Sequence, residues 1–126
     1  MKKGQVKQLK ADVISRIQNK DGVNYLSEIL DLDGGSIKDL CFQLKGEVEN
    51  LVAVIGGKAD GKATISVVIT DELAKSKDWH AGNLVRSAAK HIQGGGGGQP
   101  FFATAGGKDA SGLPQALKAV EEEIFT

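Results

Sequence analysis

Five consecutive glycines, Gly94–Gly98, followed by Gln99-Pro100 and flanked by Arg86, Lys90 and Lys108, form the most informative stretch of this 126-residue sequence. Glycine permits positive φ and lets a ligand or a second backbone come close. Such a run can therefore present main-chain N–H donors to an anion or to the edge of a nucleotide. Two phosphate-binding patterns are excluded. No Gly-Lys-Ser/Thr follows the run, and it lies after a helical pattern and before a strand pattern, the reverse of a dinucleotide fingerprint. A flexible linker or a packing loop is the competing reading. Only 28 residues follow Gly98, too few for a second core, so the run reads as an internal loop between helix and strand.

The remaining reactive side chains do not assemble into a catalytic set. His80 and His91 lie eleven residues apart, and on one helix about 16 Å would separate them, too far to share a metal. No His, Cys or carboxylate group has ligand spacing, so neither metal nor cofactor is expected in this chain. Asp31 and Asp33 straddle a strand end in a pattern common to acidic turns, weak support for acid–base work. Cys41, the single cysteine, has no partner for an internal disulfide. Its apolar helix position reads as a small buried hydrophobe rather than a nucleophile. Trp79, beside His80 at a helix start, can stack a base or pack in the core.

The elements that would position these groups follow from periodicity. Val6, Leu9, Val13 and Ile17 make one stripe of an amphipathic helix over residues 1–20, with Gly22 as its left-handed terminator. Residues 24–32 read as a strand, and Asp33 or Ser36 caps a helix over 37–48 with Ile37, Leu40, Cys41, Leu44 and Val48 inward. The apolar run at 51–55, a turn at 56–61 and the strand at 62–70 read as a β-hairpin. A short helix at 72–78 and a longer one at 80–92 follow, then the glycines, a strand at 101–105 and a helix at 113–125. This order predicts an α/β fold: a mixed sheet of about four or five strands flanked by helices, preceded by an N-terminal helix, with a parallel pair across the helix at 37–48. Residues 22–126 form one globular domain, and 1–21 the end of a helical segment.

Hydrophobic residues at 40% and charged residues at 25% suit a globular chain, and the apolar runs 51–55 and 67–69 are far too short for a bilayer span, so no membrane partner is expected. Met1-Lys2-Lys3 is followed by polar residues rather than a secretory signal, and with one cysteine this predicts a cytoplasmic location. Net charge is zero but uneven. Residues 1–20 carry six basic groups against Asp12, 21–50 seven acids against two lysines, and 51–119 eight basic groups against five acids. Two mildly basic segments suit a polyanionic partner, although a solvated helix face is the simpler account of the first.

Ala81-Gly82-x-Leu84-Val85, then Gly94–Gly98-Gln99-Pro100-x-x-Ala103-x-Ala105-Gly106-Gly107-x-Asp109-Ala110-Ser111-x-Leu113-Pro114-x-Ala116-Leu117, closely resembles the C-terminal end of bacterial alanyl-tRNA synthetases. That region belongs to the DHHA1 domain family, named for its association with DHH phosphoesterases. The resemblance covers about residues 22–126, with the specific motif at 81–117. It implies a tRNA-binding domain that holds the outer corner of tRNA(Ala), where D- and T-loops meet, for aminoacylation and editing. Gly94–Gly98, Gln99, Arg86, Lys90 and Lys108 would face the RNA. The implied partners are tRNA(Ala) and the rest of the synthetase, whose ATP, Mg and zinc sites would lie outside this chain. In the phosphoesterase relatives a His follows the glycines and helps hold a nucleotide. Gln99-Pro100 stand here instead, favouring the synthetase branch over a phosphoesterase cap. An oligomerisation module, dimerising through residues 1–20, is the alternative reading. Two arginines among sixteen basic residues argue for weak, shape-led contact with RNA.

Overall fold

Every residue from Leu51 to Gly57 is buried, and a strand of that kind needs cover on both faces. The computed structural model, which describes residues 11–20, 22–59 and 61–125, supplies it. A six-stranded sheet lies between two helical layers. A helical turn at 11–15 (α1) leads to β1 (Gln18–Lys20), β2 (Val23–Leu30), α2 (Gly34–Glu47), β3 (Leu51–Ala59) and β4 (Lys62–Ile69). After these come α3 (Asp71–Ser76), α4 (Ala81–Ala89) running into a 3₁₀ turn (Lys90–Ile92), β5 (Gly94–Gly98) and β6 (Phe102–Gly107). A second 3₁₀ turn (Ala110–Gly112) opens α5 (Leu113–Phe125).

The sheet order is β1-β2-β3-β4-β6-β5. β2 and β3 are parallel, as expected across α2, and each remaining pair is antiparallel. Side chains alternate between the two cores. Leu51, Ala53 and Ile55 face the α2 side with Ile37, Leu40, Cys41 and Leu44, while Val52 and Val54 join α4 and α5 through Val85, Ala88, Leu113 and Val120. Asp33 caps α2 by accepting a 2.7 Å hydrogen bond from the Ser36 N–H, the local chemistry that stops β2 and starts the helix. Among the described residues, no helix is long and apolar enough to cross a membrane.

Three expectations need correction. Residues 16–20 are not helical: the chain turns after residue 15, and Gln18–Lys20 pairs with β2, so Gly22 (φ +84°) turns a hairpin instead of ending a helix. Residues 1–10, with Val6 and Leu9, lie outside the described residues. Val13 is fully buried on the α2 side, and Ile17 packs there too, so the domain itself covers this end of the stripe. Second, β3 runs on to Ala59 through the expected turn. Gly57 sits inside it because a Cβ there would lie 2.3 Å from Ile37 Cδ1, a close approach of α2 to the sheet. Third, the sheet has two strands more than the four segments read from the sequence. Both additions, β1 and β5, are edges built from polar residues or glycine, where hydrophobic alternation gives no signal.

Cys41 is fully buried on α2, and burial pushes its thiol pKa up to about 12. A thiol reagent at pH 8 should label it only in denaturant; rapid labelling of the native protein would contradict this burial. Because the folded chain keeps the thiol proton that the unfolded chain releases above about pH 8.5, this site's effect on stability is absent below that pH. Its destabilising effect should then grow as pH rises toward 12, as denaturant titrations at pH 8 and pH 10 would measure.

Candidate nucleic-acid interface

β5 contains no side chains. The expected glycine loop is an edge strand, antiparallel to β6, with Gly94 opposite Gly107 and Gly98 opposite Ala103. Positive φ is not what selects glycine, since none of the five residues adopts it. The left-handed residue is Gln93 (φ 54°), which ends the 3₁₀ turn and swings the chain into the strand.

Close approach is the reason instead. A Cβ on Gly94 would lie 1.9 Å from the Gly106 carbonyl oxygen, one on Gly96 2.5 Å from Ala105 Cα, and one on Gly98 2.7 Å from Ala103 Cα. From the helical side, a Cβ on Gly82 of α4 would lie 2.7 Å from the Gly98 oxygen. The intervening positions are different: a Cβ on Gly95 meets nothing within 4 Å, and one on Gly97 meets only Arg86 Nη2 at 3.6 Å. Alternate glycines thus serve packing, while Gly95 and Gly97 leave the main chain approachable. All of β5 except half-buried Gly97 is exposed.

The cations expected beside the glycines surround this strand. Arg86, exposed in the last turn of α4, reaches Gly97, and Lys90 is exposed one turn farther on. Lys108 is exposed at the other end, directly after Gly107, the partner of Gly94. Among the described residues none of these three forms an ion pair. Gln99 is exposed, and its backbone N–H donates to the Phe102 carbonyl at 2.9 Å, closing the β5–β6 hairpin.

Trp79 is half-buried: it packs against the α4/α5 core, as one of its two expected roles requires, and it lines an open cleft of about 500 Å³ with His80, Pro100 and Phe101. The sequence reading did not bring Phe101 to this place, because only the hairpin turn carries it across to Trp79. His80 caps α4, its Nδ1 accepting the Asn83 N–H at 3.3 Å. Asp33 is committed to its helix cap. Among the described residues no three His, Cys, Asp or Glu side chains form a group able to hold a metal ion.

A family model described as the DHHA1 domain matches residues 22–125. The chain is 49% identical, over 97% of its length, to a protein from Christiangramia forsetii named alanine–tRNA ligase, of which it spans 14%. A protein of the same name from Parabacteroides distasonis is 40% identical over 92% of the chain, which spans 13% of it. The chain thus spans about one-seventh of the length of these relatives. Among solved structures, the C-Ala domain of Aquifex aeolicus alanyl-tRNA synthetase superposes with a TM-score of 0.76 at 22% identity, covering 87% of this chain and 98% of that one.

The alternation along β5 predicts an alternation in stability. Gly96→Ala should destabilise the domain by about 1–3 kcal/mol, the usual cost of forcing an extra group into a packed site, whereas Gly95→Ala should unfold with the wild type. Thermal melts followed by circular dichroism would check this, and equal losses at both positions would contradict the packing described.

Proposed function

Since the chain belongs to the DHHA1 domain family, we propose that it acts as the tRNA-binding C-terminal domain of an alanine–tRNA ligase, holding tRNA(Ala) by its outer corner for aminoacylation and editing. One observation carries the reading: a side-chain-free edge strand, Gly94–Gly98, open at Gly95 and Gly97 and flanked by unpaired Arg86, Lys90 and Lys108. A folded RNA corner offers phosphates, 2′-hydroxyls and an exposed base face. Main-chain groups without Cβ atoms can reach those at hydrogen-bond distance, and the three cations can follow the flanking phosphates.

Gln99 continues the interface where the strand turns. In this reading residues 22–126 are the unit that touches RNA, and residues 1–21 lead in from the rest of the ligase. Contacts of this number give weak binding, and attachment to the remainder of the enzyme raises the local concentration of tRNA at the strand. The ligase's ATP, Mg and zinc chemistry belongs to other parts of that enzyme, in the cytoplasm.

Binding of transcribed alanine tRNA across a salt series tests the proposal. Lys90→Ala and Lys108→Ala should each reduce the slope of log affinity against log salt by about one. Gly95→Ala, which keeps the fold, should bind more weakly because its Cβ holds RNA away from the strand. Equal affinities and slopes for all four proteins would remove β5 from the interface.

A further inference from the structure

The chain has six aromatic residues; Trp79 and Phe101 line the cleft at the turn that follows the glycine strand, and Phe42 and Phe102 pair on the α2 side of the sheet. Phe42 on α2 is 41% exposed, the only large hydrophobic side chain so exposed among the described residues. Its ring lies 4.9 Å from that of Phe102, the planes inclined by 38°. Three residues on, Lys45 holds its ammonium 4.3 Å from the centre of the Phe101 ring, and Phe101 and Trp79 line the same cleft. The two remaining aromatics, Tyr25 and Phe125, pack edge to face with each other.

We propose that this surface is a stacking platform for an unstacked nucleobase of a single-stranded RNA loop, with Phe101 and Trp79 gripping the base and Phe42–Phe102 extending the platform. The inference rests on the RNA reading above and adds the part of the RNA that is recognised. Planar walls favour a planar occupant. The rim is polar in both senses: the exposed Asp78 carboxylate accepts hydrogen bonds, and His80, whose Nδ1 is occupied by the Asn83 N–H, presents Nε2–H as a donor in its neutral form. A base edge carries both kinds of group. The cleft's Asp71 and Asp78 stand against Lys75 and Lys45, and Lys45 pairs with Asp71 at 2.9 Å. Charge is therefore nearly balanced, and binding here comes from stacking. Gln99-Pro100-Phe101 forms the turn that leaves β5, so the rings lie beside the end of the glycines, where an RNA strand along β5 can place its next base.

Trp79 is the sole tryptophan, so its fluorescence reports on the cleft directly. Titration with transcribed alanine tRNA should quench it. Phe101→Leu keeps an apolar side chain but loses the ring face, and should bind about five- to hundredfold more weakly with the salt slope unchanged, unlike the lysine variants. Phe42→Ala, with circular dichroism to confirm the fold, should weaken binding in the same salt-independent way. If tRNA binds without quenching Trp79 and both variants retain wild-type affinity, the platform is wrong and the glycine-strand reading stands. If no tRNA binds at all, both fail. A Phe42→Ala variant that lowers the sedimenting mass and spares RNA affinity would make the surface a contact between protein chains and overturn the proposal.

Discussion

The approach of three backbones at β5 is the constraint on which this end of the molecule depends. One side of the strand lies against β6 and its C-terminal end lies under Gly82 of α4, closer than any Cβ permits at Gly94, Gly96 and Gly98. That proximity lets the surrounding turns close. The Ala81 N–H donates to the Pro100 carbonyl at 3.0 Å, tying the start of α4 to the hairpin, and the Asp109 N–H donates to the Ile92 carbonyl at 3.0 Å, tying the hairpin's exit to the helix end. Gly112 continues the pattern, since a Cβ there would lie 1.7 Å from the His91 oxygen. Five glycines cost conformational entropy on folding, and the two-sided packing of their main chain is what offsets it.

The rest of the sheet makes such an edge possible. β3 and β4 are buried on both faces and hold α2 on one side and α4 with α5 on the other. With the hydrophobic work done at the centre, the edge can be almost free of side chains and still be fixed in place. Ser66, the buried polar residue of β4, lies 3.2 Å from Thr104 of β6 in a hydroxyl pair. Edges with exposed main chain are an association hazard that proteins manage with charges, turns or cover. Here α4 lies against β5 through Gly82, Arg86 stands beside Gly97 and Lys108 follows the strand paired with it.

How much of this was legible follows from what each residue contributes to a pattern. The helices α2, α4 and α5, the parallel pair across α2 and the buried β3–β4 hairpin were readable because 3.6- and 2-residue periods are written in Ile, Leu and Val. Asp33 was readable, with Ser36, as one of two cap candidates before Ile37, and the structure assigns the cap to Asp33. β1 was not, because Gln18-Asn19-Lys20 is polar throughout and carries no apolar alternation to mark a strand. The same holds for β5: a run of glycines has no face, so its strand conformation comes wholly from β6 and α4. The sequence marked these glycines as a site of close approach, and the structure reassigns the approach in part to the protein's own backbone. At the aromatic surface, Trp79 was visible as a candidate. Its neighbour Phe101 became one only through the turn at Gln99-Pro100, and Phe42 only through the packing of α2 beside β6.

The most direct test of the central claim, that β5 is at once a packed strand and an RNA-facing one, is the chemical-shift response of backbone amides to transcribed alanine tRNA. Glycine amides fall in a distinct region of the nitrogen–proton spectrum, so the strand can be followed residue by residue. The account predicts progressive shifts or broadening at Gly95 and Gly97, together with Arg86, Lys90 and Lys108, while amides of the buried strands β3 and β4 stay in place. Perturbations confined to the basic residues before position 21, with the five glycine amides unmoved at saturating RNA, would contradict it.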